Sequence, residues 1–187
     1  MKRTTSPVLA CTLLAASLLA HPTKADQLPG HVDFGRFKPS SHDAEFVEVH
    51  VRKNLINMVT RMTEKSEPEV AEILRGLHLV RVNVIGLQED NRDETVQRVR
   101  SIREALDRNA WERIVTAHQG SDDVTVHLKM QTDEAVEGVA VTVIDGNKRI
   151  VLVNVVGDIR PENIALIGER FNIEPLRKIG QPFKKRD

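Results

Sequence analysis

The sequence predicts an α+β fold: a two-layer sandwich with a mostly antiparallel sheet and helices packed on one face. Three observations predict it. In the first half, segments with the strand period of two alternate with segments of helical period. The second half is a run of four strand-like segments joined by short turns, the arrangement of an antiparallel meander. Helices and strands are thus largely segregated along the chain, as in α+β rather than α/β folds. The 187 residues, 40% hydrophobic and 29% charged, suffice for one core and one domain.

The elements follow in order. Residues 26–43, rich in Pro, Gly, Ser and His, read as a leader lying on the domain, with Phe34 and Phe37 tucking it down. Glu45 to Val51 alternates Val47, Val49 and Val51 with Glu48 and His50, which predicts a half-buried strand. Asn54 to Lys65 changes period and puts Leu55, Ile56, Val59 and Met62 on one helical face. A second helix starts at Ser66-Glu67-Pro68-Glu69, where Ser66 and Glu69 can form a capping box and Pro68 loses nothing by lacking its N–H. It runs through Val70, Ile73 and Leu74 to Gly76, the expected stop. Leu77 to Leu87 is a strand with Val80, Val82 and Val84 on one side and Leu79, Arg81, Asn83 and Ile85 on the other; the mixed side suggests a partly covered face. Asn91 with Glu94 starts a third helix in which Val96, Val99, Ile102, Arg103 and Leu106 keep the helical period, while its charged residues, Arg92, Asp93, Glu94, Arg98, Arg100, Arg103, Glu104, Asp107 and Arg108, are expected to form a solvated face.

Four strands follow, Trp111 to His118, Val124 to Gln131, Val136 to Ile144 and Arg149 to Val156. The turn Asp145-Gly146-Asn147 joins the last two, with residue types that tolerate positive φ. Ile150 to Val156 is apolar at nearly every position, which predicts a central strand or one covered on both faces. Pro161 opens a last helix with Ile164, Ile167 and Phe171 inward. The expected organisation is therefore a single domain over 44–173 and a basic tail over 174–187.

The first 25 residues have a different character. Lys2 and Arg3 precede an apolar run from Val8 to Ala20, and Thr23-Lys24-Ala25 ends in the small residues that signal peptidase reads. This is the pattern of a secretory signal peptide over 1–25, with cleavage between Ala25 and Asp26. His21, Pro22 and Lys24 end the run short of the roughly 20 apolar residues a membrane span needs, so no transmembrane segment is expected once the signal is removed. Cys11 sits in a loose lipobox, Val8-Leu9-Ala10-Cys11, but the stronger half of the apolar run follows it, which disfavours a lipoprotein. The expected location is the periplasm or the cell surface.

Cleavage would change the composition. The precursor has 27 basic and 27 acidic residues; losing Lys2, Arg3 and Lys24 leaves 24 against 27 over 162 residues, with no cysteine. That excludes disulfides, thiolate metal sites and thiol nucleophiles. It also lacks the basic excess that phosphate neutralisation in nucleic acid requires.

No catalytic, cofactor-binding or metal-binding residue can be assigned from motifs, and no cofactor is expected. His31, His42, His50, His78, His118 and His127 include no helical pair and no His-Glu-x-x-His. Glu89-Asp90-Asn91-Arg92-Asp93-Glu94 lacks the glycine and terminal Glu of a calcium loop, and helix capping accounts for its acids. There is no Gly-x-Ser-x-Gly and no glycine-rich phosphate loop.

Several strings resemble an exported bacterial family, domain of unknown function 4252. They are Leu28-Pro29-Gly30-His31-Val32-Asp33-Phe34, the run from Glu69 to Leu77 leading into Val80-Arg81-Val82, Trp111-Glu112-Arg113-Ile114-Val115, and Val151 to Ile159 followed by Pro161-Glu162. The resemblance implies an exported α+β domain without an established activity and supplies no catalytic residues. One departure is Arg160, where the family tends to place an acid before the final helix; Asp158 is the substitute cap.

The function expected from these readings is a non-enzymatic binding or accessory module of the cell envelope, with an envelope protein as partner. The alternatives are a small hydrolase or metal-dependent enzyme, which would need two of His78, His118 and His127 to converge with an acid in a pocket, and a binder of a small ligand between sheet and helices.

Overall fold

A computed structural model describes residues 28–39, 41, 44–133 and 135–160. The expected signal segment with Cys11, Ala25 and Asp26, the histidine His42, the helix expected from Pro161 and the basic tail lie outside the described residues. The elements are β1 (Phe46–Arg52), α1 (Lys53–Thr63), α2 (Pro68–Gly76), β2 (Leu77–Gly86), α3 (Arg92–Arg108), β3 (Glu112–Gln119), β4 (Asp122–Thr132), β5 (Ala135–Asp145) and β6 (Arg149–Ile159). The six strands form one open antiparallel sheet in the order β1-β2-β6-β5-β4-β3. The fold is α+β, as expected.

The period-two patterns set the register. Strand β6 lies between β2 and β5 and pairs with both over most of its length, which explains its unbroken apolar run. The β5–β6 hairpin closes through Lys148 N–H donating to the Asp145 carbonyl at 2.9 Å, with Gly146 at φ +53°, a left-handed conformation that glycine adopts without cost.

One face of the sheet carries Ile85, Ala140, Ile144, Ile150 and Leu152, packed against Val99 and Leu106 of α3 and against Val32 and Phe34 of the leader. Phe34 is fully buried, a gain of about 2–3 kcal/mol from its side chain alone. The opposite face carries Val126, Val139, Val141 and Val155, with Ile56 of α1 and Leu74 of α2. The helices therefore divide between the faces in detail: α3 crosses one, while the α1–α2 hairpin, inserted between neighbouring strands β1 and β2, meets the other.

That division corrects the reading of β2. Its mixed side is the better covered one, since Asn83 and Ile85 are buried and Arg81 half-buried, whereas Val80, Val82 and Val84 are all only half-buried. Arg81 is used by the leader: its Nη2 donates to the Gly35 carbonyl at 3.2 Å and its guanidinium lies 5.8 Å from the Phe34 ring centre. Phe37 takes Arg98 over its ring at 4.2 Å.

Three local expectations also change. Ser66 does not cap α2; its hydroxyl donates back to the Thr63 carbonyl at 3.3 Å, at the end of α1. Asn91 is the N-cap residue of α3 by position, but its side chain accepts from Gln88 N–H and donates to the Gly86 carbonyl, fixing the preceding turn. Gly76 ends α2 without a left-handed φ. What requires glycine there is the approach of β6, because a Cβ would collide with the Asp158 carbonyl.

Candidate functional site

The polar side chains with chemical capacity gather in two places on the α3 face. The first lies between α3 and strands β3, β4 and β5. Positions Thr95, Val99, Arg103 and Leu106 form the buried stripe of α3, so an otherwise charged helix turns one arginine towards the sheet. Arg103 Nε donates to the Thr142 hydroxyl at 2.7 Å, and Thr142 lies 2.7 Å from the hydroxyl of Thr125, its cross-strand partner. The Arg103 Nη1 is 2.9 Å from Asp123 Oδ1, an ion pair without hydrogen-bond alignment. Asp123 also has His118 Nδ1 at 3.5 Å.

One turn further along α3, Asp107 pairs with Arg113 of β3 and lies 3.2 Å from His127 Nε2. Arg113 Nε also approaches His127 Nε2, at 3.3 Å. His127 is 0% exposed and its Nδ1 has no partner. Burial pushes its pKa below the ordinary histidine value, against the raising effect of Asp107. The two Nε2 contacts call for opposite tautomers: carrying the proton, Nε2 donates to the Asp107 carboxylate, and bare, it accepts from Arg113 Nε–H, so a neutral ring makes one of the two at a time.

The second place is a groove of about 430 Å³ between the leader and α3, open to solvent, with His31, Asp33, Arg98, Ser101 and Asn109 among its polar lining and Trp111 among its apolar lining. Its leader wall is held by Asn154, a polar residue inside the apolar run of β6. Asn154 Oδ1 accepts from Val32 N–H at 2.9 Å, and Nδ2 donates to the carbonyls of Gly30 and Val139 at 3.0 and 3.2 Å.

The histidines are distributed, not assembled. His118 and His127 share a face but pair with different carboxylates; His78 and His50 are exposed, on β2 and β1. Among the described residues no group of three or more His, Cys, Asp or Glu is placed to hold a metal ion. The condition set for the histidine enzyme, two of His78, His118 and His127 converging with an acid in a pocket, is not met there: His127 is sealed, and the groove has other walls. Sequence reasoning missed Arg103, Asp107, Arg113 and Asn154. Only Asn154 left a signal, a polar residue interrupting Val151-Leu152-Val153 and Val155-Val156.

The opposite side of the molecule is apolar and open. Helix α1 buries Ile56 and Thr60, not the face expected from its pattern. Leu55, Met58, Val59 and Met62 point outward at the spacing of a helical stripe, with Met62 73% exposed. On β1, Val47 and Val49 are exposed as well.

These features define a small antiparallel α+β domain in which Arg103, Thr125, Thr142 and Asn154 are tied up within the fold and in which one helix turns an apolar face outward. Residues 38–167 match the family described as Domain of unknown function (DUF4252), and the chain belongs to that family. No curated protein and no solved structure matches it.

Proposed function

We propose that this protein is an exported cell-envelope module that acts by binding a protein partner, without chemistry of its own. The observation that carries the reading is the outward stripe of Leu55, Met58, Val59 and Met62 on α1. Methionine and branched side chains kept in water at helical spacing suit a hydrophobic partner surface, and methionine adapts to irregular ones. Export rests on the signal pattern ending at Ala25, and no helix among the described residues is long and apolar enough to cross a membrane.

Two measurements test it. The mass of the protein recovered from cell fractions should correspond to a chain starting at Asp26; recovery only of a chain retaining residues 1–25 removes the export half. For binding, a photo-crosslinking residue at Met58 or Met62 should give a discrete adduct in cells that is absent when the same residue replaces Arg100, exposed on α3. Equal labelling from both positions, or none, counts against a partner on α1.

The groove beside the leader favours a second reading, a small-ligand site. It predicts ligand-dependent thermal stabilisation that is lost in Arg98→Ala.

A further inference from the structure

We propose that the outer edge of β1 pairs with the same strand of a second copy, antiparallel about Val49, so that two six-stranded sheets join into one. Strand β1 ends the sheet, and among the described residues no strand pairs with its outer side. It has neither a proline nor a bulge, the devices that blunt an edge. The opposite edge, β3, is interrupted by a register shift between Arg113 and Val115.

The backbone phase fixes which residues would bond. Gly86 N–H donates to the Glu45 carbonyl, so Glu45 faces β2, and by alternation so do Val47, Val49 and Val51. The amides and carbonyls of Phe46, Glu48, His50 and Arg52 then point outward. A two-fold axis at Val49 pairs all seven residues of Phe46–Arg52 with their symmetry mates and uses every outward group. In that register Glu48 stands opposite His50 of the second copy and Phe46 opposite its Arg52, an acid facing a base and a ring facing a cation. A shift of two residues one way puts Glu48 opposite Glu48; a shift the other way puts His50 opposite His50. Like charge opposes the first shift; the second sets Glu48 opposite Arg52 but carries Phe46 past the end of the partner strand and leaves its outward groups unpaired, so completeness of the backbone bonding selects the register about Val49.

The other side of the seam is apolar. Val49 meets Val49, and Val47 meets Val51 of the second copy, withdrawing from water two valines that are 44% and 39% exposed in the single chain. An isologous pairing of this kind closes at two copies. It requires nothing of α1 and can be read with no other partner present.

The test is sedimentation of the full exported chain alone, together with cysteine crosslinking in a chain that keeps no cysteine after cleavage. A concentration-dependent dimer is expected up to about 100 µM, the range of a modest edge contact. His50→Glu places like charges opposite each other twice and should weaken the dimer roughly tenfold or more, and Glu48→Lys added to it should restore pairing. Val49→Cys should form a disulfide-linked dimer on mild oxidation, since the axis puts the two Cα atoms about 4.5 Å apart, whereas Val47→Cys alone should not. A chain that sediments as a monomer throughout, with Val49→Cys uncrosslinked, overturns the proposal. So does crosslinking of Val49→Cys to a different protein, or dimerisation unaffected by His50→Glu.

Discussion

Arg103 and Asp123 meet at 2.9 Å between α3 and β4, with both side chains largely withdrawn from water. The pair, continued through Thr142 and Thr125, is what orients a heavily charged helix on the sheet. Such pairs are weak evidence of net stabilisation, yet breaking one is costly because the remaining charge keeps its burial without its partner. Arg103→Ala should therefore cost about 3 kcal/mol in urea unfolding. Arg103→Met with Asp123→Leu, which removes both charges and fills the space, should cost clearly less than the two single changes added together. Additive costs would show that the pair is not coupled.

Asn154 fastens the leader by satisfying three backbone groups from a fully buried position. Asn154→Ala leaves Val32 N–H and the carbonyls of Gly30 and Val139 without that partner, a loss of about 2–4 kcal/mol. The expected signature is local as well as global. Amide exchange at Val32 to Phe34 should accelerate first, and the groove beside α3 should lose its leader wall. Unchanged exchange there would mean that Phe34 alone holds the segment.

The strand and helix periods were legible because each element follows its own apolar repeat, and β6 declared its central position through the run around Leu152. What the sequence left ambiguous was the choice of faces. In α1 both Ile56 and Leu55 are apolar, so periodicity marks an amphipathic helix without saying which side meets the sheet, and the structure turns Ile56 and Thr60 inward. Arg103 illustrates the same limit. A charge on a charged helix reads as solvated until a threonine pair from strands β4 and β5, distant in sequence, is brought beneath it. Likewise, Arg81 suggested an open face because its partner in the leader, the Gly35 carbonyl, is distant in sequence.

Gly30 and Gly138 mark a close backbone approach between leader and sheet. A Cβ on Gly138 would lie 2.6 Å from Gly30 Cα and 2.8 Å from Trp111 Cη2, so neither backbone nor a buried ring can yield easily. Gly138→Ala should cost about 2–3 kcal/mol by overpacking. Gly120→Ala is the comparison, because Gly120 has φ +63° with nothing within 4 Å and loses only the left-handed preference, about 1 kcal/mol. Equal costs would show that the leader and Trp111 give way to the added methyl, since Gly138 carries no positive φ of its own.

The sealed position of His127 also makes stability depend on pH. Its pKa in the folded chain is lowered, chiefly by burial, while in the unfolded chain it returns to about 6.5. Above that value both states hold a neutral ring and the group contributes no pH dependence. As pH falls below it, the unfolded chain takes up a proton that the folded chain resists, so stability declines by at most about 1.4 kcal/mol per pH unit and levels off below the lowered folded value. His50, also lowered by desolvation and by Arg52 and Arg81, acts with the same sign but from an exposed site. Urea unfolding between about pH 7.5 and pH 5, where most carboxylates stay ionised, should show this decline in the native chain and a shallower one in His127→Gln, which keeps a donor for Asp107 but does not titrate. Identical slopes in the two proteins would show that the ring titrates alike in both states, and a shallower decline in the native chain would show that Asp107 outweighs burial.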